Sequence, residues 1–179
     1  MAGPWRPGRR RADRASMIRV DQAGEYGATR IYAGQLAVLR PNSPAAKLIS
    51  RMAMQEQRHL KRFDQLVAER RVRPTVLQPV WNVAGFALGA ATALISPEAA
   101  MACTDAVETE IDRHYRRQLE ELGDDDPELA GDIAEFRDEE LEHRDTARSA
   151  GAERAFGYPL LTGAIRAACR AAIALSKRV

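Results

Sequence analysis

Phe136-Arg137-Asp138-Glu139-Glu140-Leu141-Glu142-His143 is the stretch on which the fold turns, because Glu140 and His143 stand three residues apart. Residues at i and i+3 share a helix face, so a carboxylate and an imidazole at that spacing point at one spot. The first half of the chain holds the same pattern in Glu56-Gln57-Arg58-His59. Two lone glutamates complete an internal repeat: Glu25 lies 31 residues before Glu56, and Glu108 lies 32 before Glu140.

Glutamate and histidine are common on helix surfaces, so the pattern has to be weighed against chance. Glu makes up 14 of the 179 residues, a frequency at which at least two of three histidines carry Glu at i−3 by accident about 2% of the time. Both motifs also interrupt apolar stripes, with Ile49, Met52, Phe63 and Val67 around the first and Leu129, Ile133, Phe136 and Ala147 around the second. Carboxylates on a face that packs inward need cations. Two Glu-x-x-His helices plus one glutamate from each of two further helices is the ligand template of ferritin-like di-iron or di-manganese carboxylate bundles. The expected fold is therefore all-α, a ferritin-like four-helix bundle. Its candidate metal-ligating and catalytic residues are Glu25, Glu56, His59, Glu108, Glu140 and His143.

A length of 179 residues suits one domain with a sizeable core, placed at 16–179. The net charge of +2, from 27 basic and 25 acidic residues, gives no overall field for nucleic acid. Cys103 and Cys169 have no close partner and no Cys-x-x-Cys spacing, which excludes a disulfide framework and reads them as buried small hydrophobes. Residues 1–15 read as a disordered basic arm, with Arg6, Arg9, Arg10, Arg11 and Arg14 but no apolar stretch of a secretory signal. A solvated tail, a remnant of organelle targeting and attraction to anionic lipid all stay open for it.

Helix signals run through the rest. Helices are expected near 16–39, 44–71, 97–122 and 127–149, with Ser43-Pro44, Ser96-Pro97 and Asp126-Pro127 as caps followed by proline, and Gly123 and Gly151 as stops. Between the halves, Pro74 to Pro97 carries no charged side chain, and its helical part from Val80 to Ile95 is about 24 Å long at about 1.5 Å per residue. That falls short of a roughly 30 Å hydrocarbon core. It predicts either a crossover helix buried in the bundle or one lying partly in a membrane surface. Tyr158 to Val179 forms an amphipathic helix with Leu161, Ile165, Cys169 and Ala172 on one face and Arg166, Arg170 and Lys177 on another, which suits a membrane interface.

Four segments carry a resemblance: 18–28 (Ile-Arg-Val-Asp-Gln-Ala-Gly-Glu-Tyr-Gly-Ala), 71–75 (Arg-Val-Arg-Pro-Thr), 81–90 (Trp-Asn-Val-Ala-Gly-Phe-Ala-Leu-Gly-Ala) and 136–143. Over about residues 17 to 179 the chain resembles the demethoxyubiquinone hydroxylase family of ubiquinone biosynthesis. By that resemblance the six candidate residues match the family's iron ligands one for one. The resemblance implies a di-iron, O2-dependent monooxygenase that hydroxylates the ring of a polyprenylated methoxy-benzoquinol. Its implied cofactors are two iron ions, dioxygen as co-substrate and an external reductant such as NADH. Its implied partners are the lipid quinol, a membrane surface and other ubiquinone-biosynthesis proteins. The implied location is peripheral, on the matrix face of the mitochondrial inner membrane in a eukaryote or the cytoplasmic face of the cell membrane in a bacterium.

Four carboxylates and two imidazoles form a hard anionic shell that suits iron. No strand-Gly-x-Gly-x-x-Gly-helix unit is present, so the electron source stays open. Asp21, Asp105 and Asp112 sit near the lone glutamates as candidates to orient a ligand histidine. Tyr115 reads as a core tyrosine or a pocket wall, and His114 as an outer or surface residue rather than a ligand. A ferroxidase or storage bundle would need a hollow shell with a soluble exterior, which the uncharged stretch opposes. A lipid-binding partner protein would need a damaged ligand set, and all six residues are intact.

Overall fold

A computed structural model describes residues 12–179. The part of the expected N-terminal arm at residues 1–11 lies outside that range. Six helices account for most of the described chain: α1 Arg14–Val38, α2 Pro44–Glu69, α3 Gln78–Ile95, α4 Pro97–Leu122, α5 Pro127–Ser149 and α6 Tyr158–Ser176, with one 3-10 turn at Ala152–Arg154. No strand occurs among the described residues.

The ends of the helices follow from local chemistry. Ser43, Ser96 and Asp126 each accept a hydrogen bond from the backbone N–H three residues on, and each is followed by proline, whose missing donor costs nothing in the first turn. Gly123 (φ 48°) and Gly151 (φ 101°) supply the left-handed backbone that ends α4 and α5. α1 begins at Arg14, two residues before the expected start, because Asp13 caps it by accepting from the Ser16 N–H.

α1, α2, α4 and α5 form the ferritin-like bundle. Side-chain contacts fix its register: Gln22 reaches Asp64 between α1 and α2, Arg137 reaches Asp112 between α4 and α5, and Arg62 reaches Asp132 between α2 and α5. Tyr32 reaches Glu108 between α1 and α4. The bundle interior is apolar towards both ends. One cluster holds Ile49, Met52 and Met101, and the other holds Ile18, Phe63, Leu122 and Ile133.

α3 crosses between the two halves and lies along α1. A Cβ on Gly89 would collide with the Ile31 carbonyl, and one on Gly34 with the Phe86 carbonyl, so the two helices meet backbone to backbone. Only glycine permits that approach. α3 is not the buried crossover that one sequence reading allowed: Gly89, Thr92 and Ala93 are its buried residues, while Val80, Val83, Leu94 and Ile95 are exposed. No helix among the described residues is long and apolar enough to cross a membrane.

α6 packs Ile165 against Cys103 and Ala106 of α4, and Trp81 of α3 donates to the Ser176 hydroxyl at 3.1 Å. The basic face expected to meet lipid head groups is partly committed elsewhere. Arg170 binds Glu110 at 2.9 Å and Arg166 reaches the Thr109 hydroxyl, leaving Lys177 exposed. Both thiols are free, Cys103 buried and Cys169 half-buried, and burial pushes each up to about 12.

Candidate metal centre

Each bundle helix delivers part of one cluster: α1 gives Glu25, α2 gives Glu56 and His59, α4 gives Glu108, and α5 gives Glu140 and His143. All six are at most 3% exposed. Two overlapping groups form, Glu25-Glu56-His59-Glu140 and Glu56-Glu108-Glu140-His143, each offering atoms that lie within 4.8 Å of one another. Glu56 and Glu140 belong to both. The two oxygens of Glu140 divide between the imidazoles, Oε1 lying 3.1 Å from His59 Nδ1 and Oε2 lying 2.9 Å from His143 Nδ1.

The cluster is electrostatically incomplete as a set of protein groups. Neither oxygen of Glu56 nor Nδ1 of His59 makes a hydrogen bond, although all three are buried. Burial, then the neighbouring carboxylates led by Glu140, pushes Glu56 and Glu108 well above the usual carboxylate range. Burial acts to lower His59, but Glu140 and Glu25 outweigh it and raise the imidazole to about 11. Burial alone would raise Glu140, yet the hydrogen bond with His143 and the adjacent His59 imidazole bring it down to about 2. Protons thus occupy this anionic pocket where cations would. Its four carboxylates, two imidazoles and orphaned buried atoms fit a pair of hard divalent ions.

A sequence profile described as Ubiquinone biosynthesis protein COQ7 matches residues 12–176. The chain belongs to this family. It is 56% identical over 162 residues to the 3-demethoxyubiquinol 3-hydroxylase of Rhodospirillum rubrum, covering 90% of this chain and 76% of that one. It is 57% identical over 166 residues to the mitochondrial NADPH-dependent 3-demethoxyubiquinone 3-hydroxylase of Mus musculus, with the same coverage. The mitochondrial 5-demethoxyubiquinone hydroxylase of Saccharomyces cerevisiae is 45% identical over 179 residues, covering 91% and 77%.

Behind the histidines, this COQ7-family chain departs from the sequence reading. Asp21 accepts from His114 at 3.1 Å and Gln118 at 2.8 Å, Asp105 from Arg148 and Tyr158, and Asp112 from Arg137 and Arg116. None of the three is hydrogen-bonded to His59 or His143. The ring nitrogens that face away from the cluster are met instead by Glu139, 2.7 Å from His59 Nε2, and Gln55, 3.0 Å from His143 Nε2. Each directly precedes the glutamate of one Glu-x-x-His motif, but it serves the histidine of the other, which the sequence does not signal. His114 is buried against Asp21 and belongs to neither group. Tyr115 donates to Glu25, and Tyr32, which the sequence reading did not single out, donates to Glu108 at 2.9 Å. Burial and the adjacent carboxylates raise both phenols well above their ordinary value, so both remain donors.

An apolar pocket of about 170 Å³ opens between α1, α3, α4 and α6, lined by Ala23, Gly27, Ile31, Trp81, Leu88 and Ile173 among others. A tighter gap that shares Ala28, Ile31 and Val107 with it extends to Tyr32 and Glu108.

Proposed function

We propose that this chain is a demethoxyubiquinol hydroxylase that works at two iron ions, with residues 16–179 acting as one domain. The carrying observation is the buried six-residue cluster with Glu56 oxygens that make no hydrogen bond, in a chain more than half identical to proteins named for that hydroxylation. Glu25 and His59 would hold one ion, Glu108 and His143 the other, and Glu56 and Glu140 would be shared. Iron in this hard shell supplies the one- and two-electron chemistry that dioxygen requires.

The protein's own groups do the rest. Tyr115 and Tyr32 fix the outer glutamates by donating to Glu25 and Glu108. The apolar clusters on either side keep water from the centre, which strengthens every charge interaction inside it. The apolar pocket suits an isoprenoid tail among α1, α3 and α6, and the gap behind it, too tight for a water molecule, would have to widen for a quinol ring to approach Glu108. The exposed apolar side chains of α3 and α6 suit a peripheral position on the membrane that carries such a lipid, mitochondrial or bacterial according to the host.

Iron per chain and quinone products, measured after adding reductant, oxygen and a demethoxyquinone, test metal, reaction and substrate together. About two iron ions and a hydroxylated ring are expected. Iron oxidation without ring product would turn the reading towards a ferroxidase. Neither iron nor product would turn it towards a lipid-binding partner protein.

A further inference from the structure

The two halves of the centre share two contacts, although His59 Nδ1 also lies 3.5 Å from Glu25 and His143 Nδ1 3.2 Å from Glu56. Each imidazole turns Nδ1 inward to Glu140, and each lone glutamate receives a tyrosine hydroxyl. The match fails behind the rings. His59 Nε2 faces a carboxylate, Glu139 Oε2, at 2.7 Å, and the same oxygen accepts from Arg58, which is half exposed. His143 Nε2 faces a neutral amide oxygen, Gln55 Oε1, at 3.0 Å.

These acceptors act differently on an imidazole. A carboxylate draws the Nε2 proton more strongly than an amide carbonyl, so electron density at the opposite nitrogen rises and that nitrogen becomes a better donor to a cation. We propose that Glu139 and Gln55 are positioning residues that make the two ion positions unequal, the one at His59 binding its divalent ion first and more tightly than the one at His143. The inference rests on the di-metal reading above. It needs no electron transfer or turnover, because it concerns binding alone.

Anaerobic titration of the metal-free full-length chain with cobalt(II), followed by visible absorption, separates the steps. Two are expected in the unmodified protein, with dissociation constants about ten- to a hundredfold apart, the range by which such outer partners alter metal affinity. Glu139→Gln keeps an acceptor of the same length and removes its charge. It should weaken the first step until the two nearly coincide, while Gln55→Glu should tighten the second to the same end. The exchanged pair, Gln55→Glu with Glu139→Gln, should separate the steps again, a rescue that a purely structural role would not produce. Circular dichroism checks that each variant is folded. Equal steps in the unmodified chain, or steps unmoved by either single substitution, would overturn the inference while leaving two bound ions and the di-metal reading intact. No cobalt bound by the unmodified chain would overturn both.

Discussion

Glu140 gives one oxygen to each imidazole, so its loss would open both ion positions at once. Glu140→Ala is expected to leave the helix intact, since alanine is a strong helix former, and to abolish iron retention and ring hydroxylation. Glu142→Ala, on the exposed side of the same turn, should change stability by no more than about 0.5 kcal/mol and leave iron content unchanged. Iron analysis and circular dichroism on the two variants check the pair. The raised Glu56 and Glu108 carboxyls also set a direction with pH. A group whose folded pKa lies above its unfolded one stabilises the fold below the unfolded value and loses that effect as pH rises through the folded value. His59, raised to about 11, acts in the same sense. The lowered Glu140 instead loses its contribution as pH falls towards about 2, outside the range of interest. Metal-free protein should therefore melt at lower temperature as pH rises from about 5 to 8, while iron-loaded protein should gain as its ligands shed protons. Parallel melting curves of the two forms across that range would contradict this. The six cluster residues were legible because i, i+3 spacing dictates a shared face. Glu139 and Gln55 were not identified because their partners lie across the α2–α5 contact, whose register no local spacing reveals.

The limits of α2, α4 and α5 were legible for a local reason: serine or aspartate followed by proline starts each helix, whatever it packs against. α3 was harder. Its lack of charge is compatible with burial on all sides or with one apolar face turned outwards, and only the glycine contact with α1 decides which side is covered. Gly89→Leu is expected to force α3 away from Ile31 and to destabilise the protein by about 1–3 kcal/mol, the usual cost of overpacking. Urea unfolding of this variant beside Gly131→Leu, where an added Cβ meets nothing within 4 Å, checks it. The basic face of α6 was legible only in part. Helical periodicity aligned Arg166 and Arg170 correctly but could not reveal that Thr109 and Glu110 of α4 lie opposite them.

At the scale of the molecule, the pairing of Arg170 with Glu110 would leave apolar side chains as the larger part of any lipid attachment. Phe156 and Leu160 are 96% and 82% exposed, and burying such a side chain is worth about 1.5–3 kcal/mol. Phe156→Ser with Leu160→Ser is expected to lower affinity for lipid vesicles by at least tenfold, and high salt should change that affinity much less. Vesicle flotation at low and high salt checks both, and equal binding by the double variant would show that the membrane is met elsewhere. The repeat that first exposed the fold has a mechanical meaning. The α1–α2 hairpin supplies Glu25, Glu56 and His59, the α4–α5 hairpin supplies Glu108, Glu140 and His143, and each ion position draws on both. Neither hairpin can complete a coordination shell alone. A metal pair held there would rivet the two half-molecules together, and the seam that it closes is where the empty protein would first come apart.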